Sequence, residues 1–170
     1  MSSIIRADKW QNALGDAYNT VLQVVSTTKT DTYSAVNNGT WGDVTGLSVT
    51  ITPKFNTSKI LVIANVMGGG QSGVTLGYLQ LVRDSTAICI GDASGTKIRA
   101  SAYPLSPPSN EGIVPVNITF LDSPATTSAT TYKIQIRGQS NAVSVNRTFS
   151  DNADSQARVA STITVMEIAQ

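Results

Sequence analysis

The chain has 170 residues, enough for one domain or one domain with a short appendage. Its 12 basic and 11 acidic residues leave a net charge of +1 and form no basic block, which removes the electrostatic footprint of nucleic-acid binding. It contains no His, which excludes Ser-His and Cys-His nucleophiles, and only 14% of residues are charged against 41% hydrophobic, which argues against disorder.

Residues 1–20 stand apart. Ile4, Ile5, Trp10, Leu14 and Tyr18 are set among Arg6, Asp8, Lys9 and Asp16. Five large apolar groups in a short terminal segment need a partner surface, either their own domain or another protein. From residue 21 a strand pattern takes over, as the high content of Val, Ile and Thr favours. A strand is expected near residues 21–28. Leu47, Val49 and Ile51 alternate with Ser48, Thr50 and Thr52, and Pro53 ends that strand. Residues 60–67 are apolar on both faces and read as a central strand, stopped by Gly68, Gly69 and Gly70. Residues 78–83 and 86–90 flank Asp84-Ser85 as a tight hairpin. A weaker strand follows at 98–102. Val114, Val116, Ile118 and Phe120 alternate next, with Pro115 marking an edge position or a strand start. Tyr132, Ile134 and Ile136, then Val143 and Val145, then residues 161–168 complete the series.

About ten short strands with no helical period between them predict an all-β protein, an antiparallel β-sandwich or jelly roll over residues 21–170. If the strands simply alternate up and down, the loops at 31–43, 68–75, 91–96, 122–130 and 149–158 share one end. The loops at 53–59, 84–85, 103–112 and 138–141 share the other with both termini.

Few residues suggest chemistry. The run Gly68-Gly69-Gly70-Gln71-Ser72-Gly73 lacks the Lys and Ser/Thr of a phosphate cradle and reads as a loop. Asp92, Asp122, Asp151 and Asp154 read as solvated loop carboxylates. Asp151-Asn152-Ala153-Asp154 resembles part of a calcium loop but lacks its bidentate Glu. Glu111 and Glu167 are the only glutamates and form no glycosidase pair. Cys89, the single cysteine, sits between Ile88 and Ile90 as a small buried hydrophobe, and it excludes an intrachain disulfide. Four Asn-X-Ser/Thr triplets, at Asn38, Asn56, Asn117 and Asn146, read as chance matches in a Ser/Thr-rich chain. Trp41, between Thr40 and Gly42, either stacks on a sugar or plugs one end of the sandwich. No apolar run is long enough to span a membrane and no secretory leader is visible, so no membrane insertion is expected.

Several segments together resemble a known module. Trp41-Gly42-Asp43-Val44-Thr45-Gly46-Leu47-Ser48-Val49-Thr50-Ile51-Thr52-Pro53, then Ser58-Lys59-Ile60-Leu61-Val62, resembles the β module of tailed-phage fibre proteins, abundant in phages of cyanobacteria and marine bacteria. Leu79-Gln80-Leu81-Val82-Arg83-Asp84, Phe120-Leu121-Asp122-Ser123-Pro124-Ala125 and the closing Ser161-Thr162-Ile163-Thr164-Val165-Met166-Glu167-Ile168 match it in order. Residues 4–15 look like the N-terminal docking segment of short phage fibres. The resemblance implies a jelly-roll or C1q-like sandwich, assembled as a homotrimer on a virion made in the host cytoplasm. It implies contact with host-surface polysaccharide and other virion proteins, without an enzymatic step or a cofactor. Under that reading Ile4, Ile5, Trp10, Leu14 and Tyr18 attach the protein to the particle, and Trp41, Asp92, Asp122, Asp151 and Asp154 face the host. A cement, collar or baseplate protein and a stand-alone carbohydrate-binding module are the competing expectations. The near absence of a shaft favours a short spike or a clipped-on knob over a long fibre.

Overall fold

In a computed structural model, residues 20–35, 39–71, 77–103, 107–138, 143–152 and 154–170 are described. They contain ten strands and no helix: β1 (Val21–Lys29), β2 (Tyr33–Ser34), β3 (Gly42–Ile51), β4 (Lys59–Gly70), β5 (Gly77–Arg83), β6 (Thr86–Ile88), β7 (Ile113–Asp122), β8 (Thr130–Gly138), β9 (Val143–Val145) and β10 (Ser161–Ile168). All pairings are antiparallel. In the first sheet, β7 lies along one edge of β4 while β10 and then β9 share the other; β1 and β2 flank β10 and β9 in turn. β1–β2 and β9–β10 are therefore each one interrupted strand, and the sheet is four strands wide. The second sheet runs β3-β8-β5-β6. Every connection crosses between sheets except the β5–β6 hairpin. This is the strand order of an eight-stranded jelly roll, and the expected β-sandwich is what the chain forms.

The core follows from the alternation. Ile60, Val62, Ala64 and Val66 of β4, Ile163 and Val165 of β10 and Ile118 of β7 face Leu47, Val49 and Ile51 of β3, Leu79 and Leu81 of β5 and Tyr132, Ile134 and Ile136 of β8. Each Val, Leu or Ile among them contributes about 1.5–3 kcal/mol by leaving water.

Three expectations are corrected. The glycines do not stop β4, which runs through Gly70 and pairs Gly68, Gly69 and Gly70 with β9. Gly69 is needed because a Cβ there would collide with the Arg147 carbonyl oxygen and lie 2.7 Å from Ser144 Oγ. Residues 98–102 do not form a strand. Cys89 adopts a left-handed φ of 53°, which ends β6 at Ile88. The chain returns to β5 only through the Leu79–Ala102 bridge, with the Ser101 hydroxyl accepting from Leu81 N–H (2.8 Å) and donating to Ile88 C=O (3.0 Å) where a ladder would run. With that strand gone, the later loops change ends. Residues 123–129 lie with 52–58 and the 84–85 turn, since Asp122 pairs with Ile60 and bonds Arg83.

The interruptions of β1–β2 and β9–β10 meet at one buried node. Asn146, with φ 64° and no exposure, donates to Lys29 C=O (2.8 Å) and Asp31 C=O (2.9 Å). It accepts from Ser161 Oγ (2.6 Å), which in turn accepts from Met67 N–H (2.9 Å). Asn tolerates the left-handed region better than most residues, and its burial takes the Asn146 triplet out of reach of glycosylation.

Candidate functional site

The two outer faces of the sandwich differ in chemistry. On the first sheet, register places Val24, Met166, Leu61 and Leu121 in one row across four strands. The next rows are Ser26, Thr164, Ile63 and Thr119, then Thr28, Thr162, Asn65 and Asn117. No charge occurs in these three rows. Val24 is 55% exposed, Leu121 46% and Ile63 38%. The polar members satisfy one another, Ser26 with Thr164 at 2.8 Å and Asn65 with Asn117 at 2.7 Å.

The second sheet's outer face is charged and hydrogen-bonded. Gln80 donates to Gln135 (3.2 Å), Gln135 to Asp43 (2.7 Å), and Lys133 to the other Asp43 oxygen (2.7 Å). The Lys133 ammonium and the Gln135 amide hold the Asp43 carboxyl below its ordinary range.

At the end of this face where β5 begins, a cleft of about 970 Å³ opens between Tyr78 and residues 91–103. The chain reaches it by the excursion after Cys89, pinned by Gly91 N–H to Ala100 C=O (3.3 Å) and Arg99 Nε to Gly91 C=O (2.7 Å). Tyr78 and Tyr103 stack with ring centroids 4.9 Å apart and planes inclined by 16°. Tyr103 remains 54% exposed. Asp92, Ser94, Thr96, Lys97 and Arg99 supply the polar wall. Arg137 sits opposite Tyr78 in the β5–β8 register, and its Nε is buried without a hydrogen-bond partner. Partial burial pushes the Tyr78 hydroxyl up, Tyr103 adds to the push, and Arg137 offsets part of it.

The residues picked from sequence do not converge. Asp92 lines the cleft. Trp41, half-buried, precedes β3, whose Gly42 pairs with Ile136. Asp151 is ion-paired to Arg158 and Arg147, and the hydrogen bond from Arg158 holds its carboxyl below the ordinary range. Asp154 is exposed in the same β9–β10 connection. Asp122 is the correction. It is no solvated loop residue but the last residue of β7, 5% exposed. Both its oxygens accept from Arg83 Nη1 at 2.9 Å, and one also accepts from Tyr132 Oη at 2.7 Å, so it cannot face a host. Burial, reinforced by the Asp122 bond, drives the Tyr132 hydroxyl far above its ordinary value. Among the described residues no three His, Cys, Asp or Glu side chains gather as metal ligands. Ile4, Ile5, Trp10, Leu14 and Tyr18 lie outside the described residues.

Sequence reading missed the cleft entirely. Tyr78 and Tyr103 are 25 positions apart, and only the hairpin and the Leu79–Ala102 bridge bring them together.

No protein-family model matches the chain, and no curated protein matches it. Among solved structures it is similar to the Gt-strain and Gx-strain structures of infectious bursal disease virus, each at 12% identity and a TM-score of 0.49, over 96% of this chain and 44% of theirs. It is also similar to the VP2 subviral particle of that virus, at 12% identity and a TM-score of 0.40 over the same shares. The chain spans less than half the length of these structures' chains, and at such scores nothing of their roles carries over to it.

Proposed function

We propose that this chain is a structural subunit of a virion, a short tail fibre or spike of a tailed phage, that assembles as a homotrimer and meets host-surface glycan without an enzymatic step. The observation that carries the reading is the contrast between the outer faces. Three uncharged rows with exposed Val24, Ile63 and Leu121 are costly to leave in water and meet no like charge in a second copy of themselves. The opposite face keeps its charges and its cleft for solvent or ligand. The collinear resemblance of roughly residues 20–169 to the phage fibre module supports the same reading, and the segment 1–20 is the part assigned to hold the particle.

Light scattering on the purified chain tests assembly. The expected mass is three times the 17.9 kDa of one chain, falling to one chain in Ile63→Lys and Leu121→Lys. Both side chains are exposed, so both variants keep the fold. A wild-type monomer, or a trimer indifferent to both lysines, overturns the assembly reading. Particles carrying a chain without residues 1–20 are expected to lack the protein, and adsorption by particles without it would overturn the host-contact role.

A further inference from the structure

We infer that the cleft between Tyr78 and residues 91–103 binds an acidic glycan, a sugar ring lying on Tyr103 with its anionic group held by Arg99 and Lys97. The inference deepens the reading above by naming the ligand class, and it is testable on the purified chain without a particle.

The geometry carries it in three steps. First, Tyr103 is 54% exposed yet fixed by its stack on Tyr78, 4.9 Å centroid to centroid. An exposed ring held in place before binding loses little freedom when a ligand arrives, and the apolar C–H face of a pyranose is the partner that a flat, half-wet ring accepts. Second, the cleft's volume is of the size that small ligands occupy, and its rim carries Ser94 and Thr96 for sugar hydroxyls. Third, its charge is unbalanced. Lys97 and Arg99 line it against Asp92 alone, and Arg137 stands beside Tyr78. None of these four makes an ion pair among the described residues; Lys54 and Lys59 are the other described cations without one, while Lys29, Arg83, Lys133, Arg147 and Arg158 are all paired. Cations left without anions in a cleft with an aromatic floor suit a carboxylated or sulfated sugar, which the guanidinium can grip bidentately. Asp92 is the one carboxylate among the described lining residues, and the inference is of binding.

The test is binding of the full chain to a panel of uronate-, sialate- and sulfate-bearing oligosaccharides beside their neutral counterparts, followed by titration of the strongest member. Binding is expected on acidic members only and is expected to weaken as salt is raised. Tyr103→Ala is expected to weaken it about tenfold or more, and Arg99→Ala by a similar factor, as for a buried anchor and its charge partner. Tyr103→Phe keeps the ring and is expected to retain most of the affinity. Unchanged circular dichroism establishes that each variant is folded. Equal binding of neutral sugars, affinity indifferent to Tyr103→Ala, tighter binding of an acidic peptide, or no binding on the panel would each overturn the inference. The trimer measurement is untouched by any of these results, so failure here and failure of the assembly reading are separable.

Discussion

Asp122 joins the two sheets. It ends β7 in the first, and both its partners, Arg83 of β5 and Tyr132 of β8, belong to the second. Asp122→Ala removes two 2.9 Å bonds from a guanidinium and one 2.7 Å bond from a phenol. The two losses differ in size. The Arg83 side chain is 27% exposed and recovers much of its solvation from water, so its share is small. Tyr132 is fully buried, and its orphaned hydroxyl bears a desolvation cost of about 1–3 kcal/mol on top of the charge-assisted bond it loses. The expected cost is about 3 kcal/mol, a large share of a stability on the order of 5–15 kcal/mol. In a thermal scan that is a fall of roughly 6–12 °C for a chain of this size. Tyr132→Phe leaves the carboxylate its two bonds from Arg83 Nη1 and is expected to cost about 1–2 kcal/mol. Urea unfolding at one fixed protomer concentration reads both, since assembly would otherwise shift the midpoint. In the double variant the Tyr132→Phe cost is expected to vanish, because the hydroxyl no longer has a partner to lose. An Asp122→Ala cost under about 1 kcal/mol, or costs that simply add, would refute the clasp.

Further outcomes follow from other contacts. Gly69→Ala sets a methyl against the Arg147 carbonyl, a backbone atom that cannot swing aside, and is expected to lose about 2 kcal/mol or more by urea midpoint. Asn146→Ala strips the buried Lys29 carbonyl, the part-buried Asp31 carbonyl and the Ser161 hydroxyl of their partner and is expected to cost about 3 kcal/mol; hydrogen exchange should speed first at Met67 and around residues 29–31. Burial alone would raise the Glu167 carboxyl, but donors from Gln23 (2.6 Å) and the Lys54 (2.7 Å) and Phe55 (3.4 Å) amides hold it below its ordinary 4.5. A carboxyl depressed on folding stabilises above its unfolded value and loses that contribution as pH falls through the folded one. The acid limb of stability below about pH 4.5 is therefore expected to flatten in Glu167→Gln, and an unchanged limb would exclude Glu167 as its source.

How far the sequence could be read depended on whether a feature was periodic. The sandwich was legible because Val49, Ile51, Ile134, Ile136, Ile163 and Val165 repeat every second residue, and alternation is a local property of a pleated strand. Pro115 told the truth about β7, which pairs on one side only. The failures share a cause of another kind. Gly68–Gly70 look like a stop because glycine is poor in strands, but the reason for them is the Arg147 backbone 78 positions away. Residues 98–102 look like a strand, yet Ser101 replaces the ladder with its side chain, and Cys89 turns the chain with a conformation that its type does not advertise.

Asp122 and Asp92 make the same point about function. Both are aspartates at the margin of an apolar strand, and composition gave them one role. The jelly-roll path sends them to opposite ends and opposite fates. Asp122 arrives between two sheets, where a carboxylate is tolerable only with its oxygens filled, and Arg83 and Tyr132 fill them. Asp92 arrives on the rim of a wet cleft with Lys97 and Arg99 for neighbours, neither of them ion-paired among the described residues. The side chain that meets the inside of the fold is consumed by stability, and the one left in water remains for recognition. That division, more than residue type, separates the candidate site of this protein from the residues that merely resemble one.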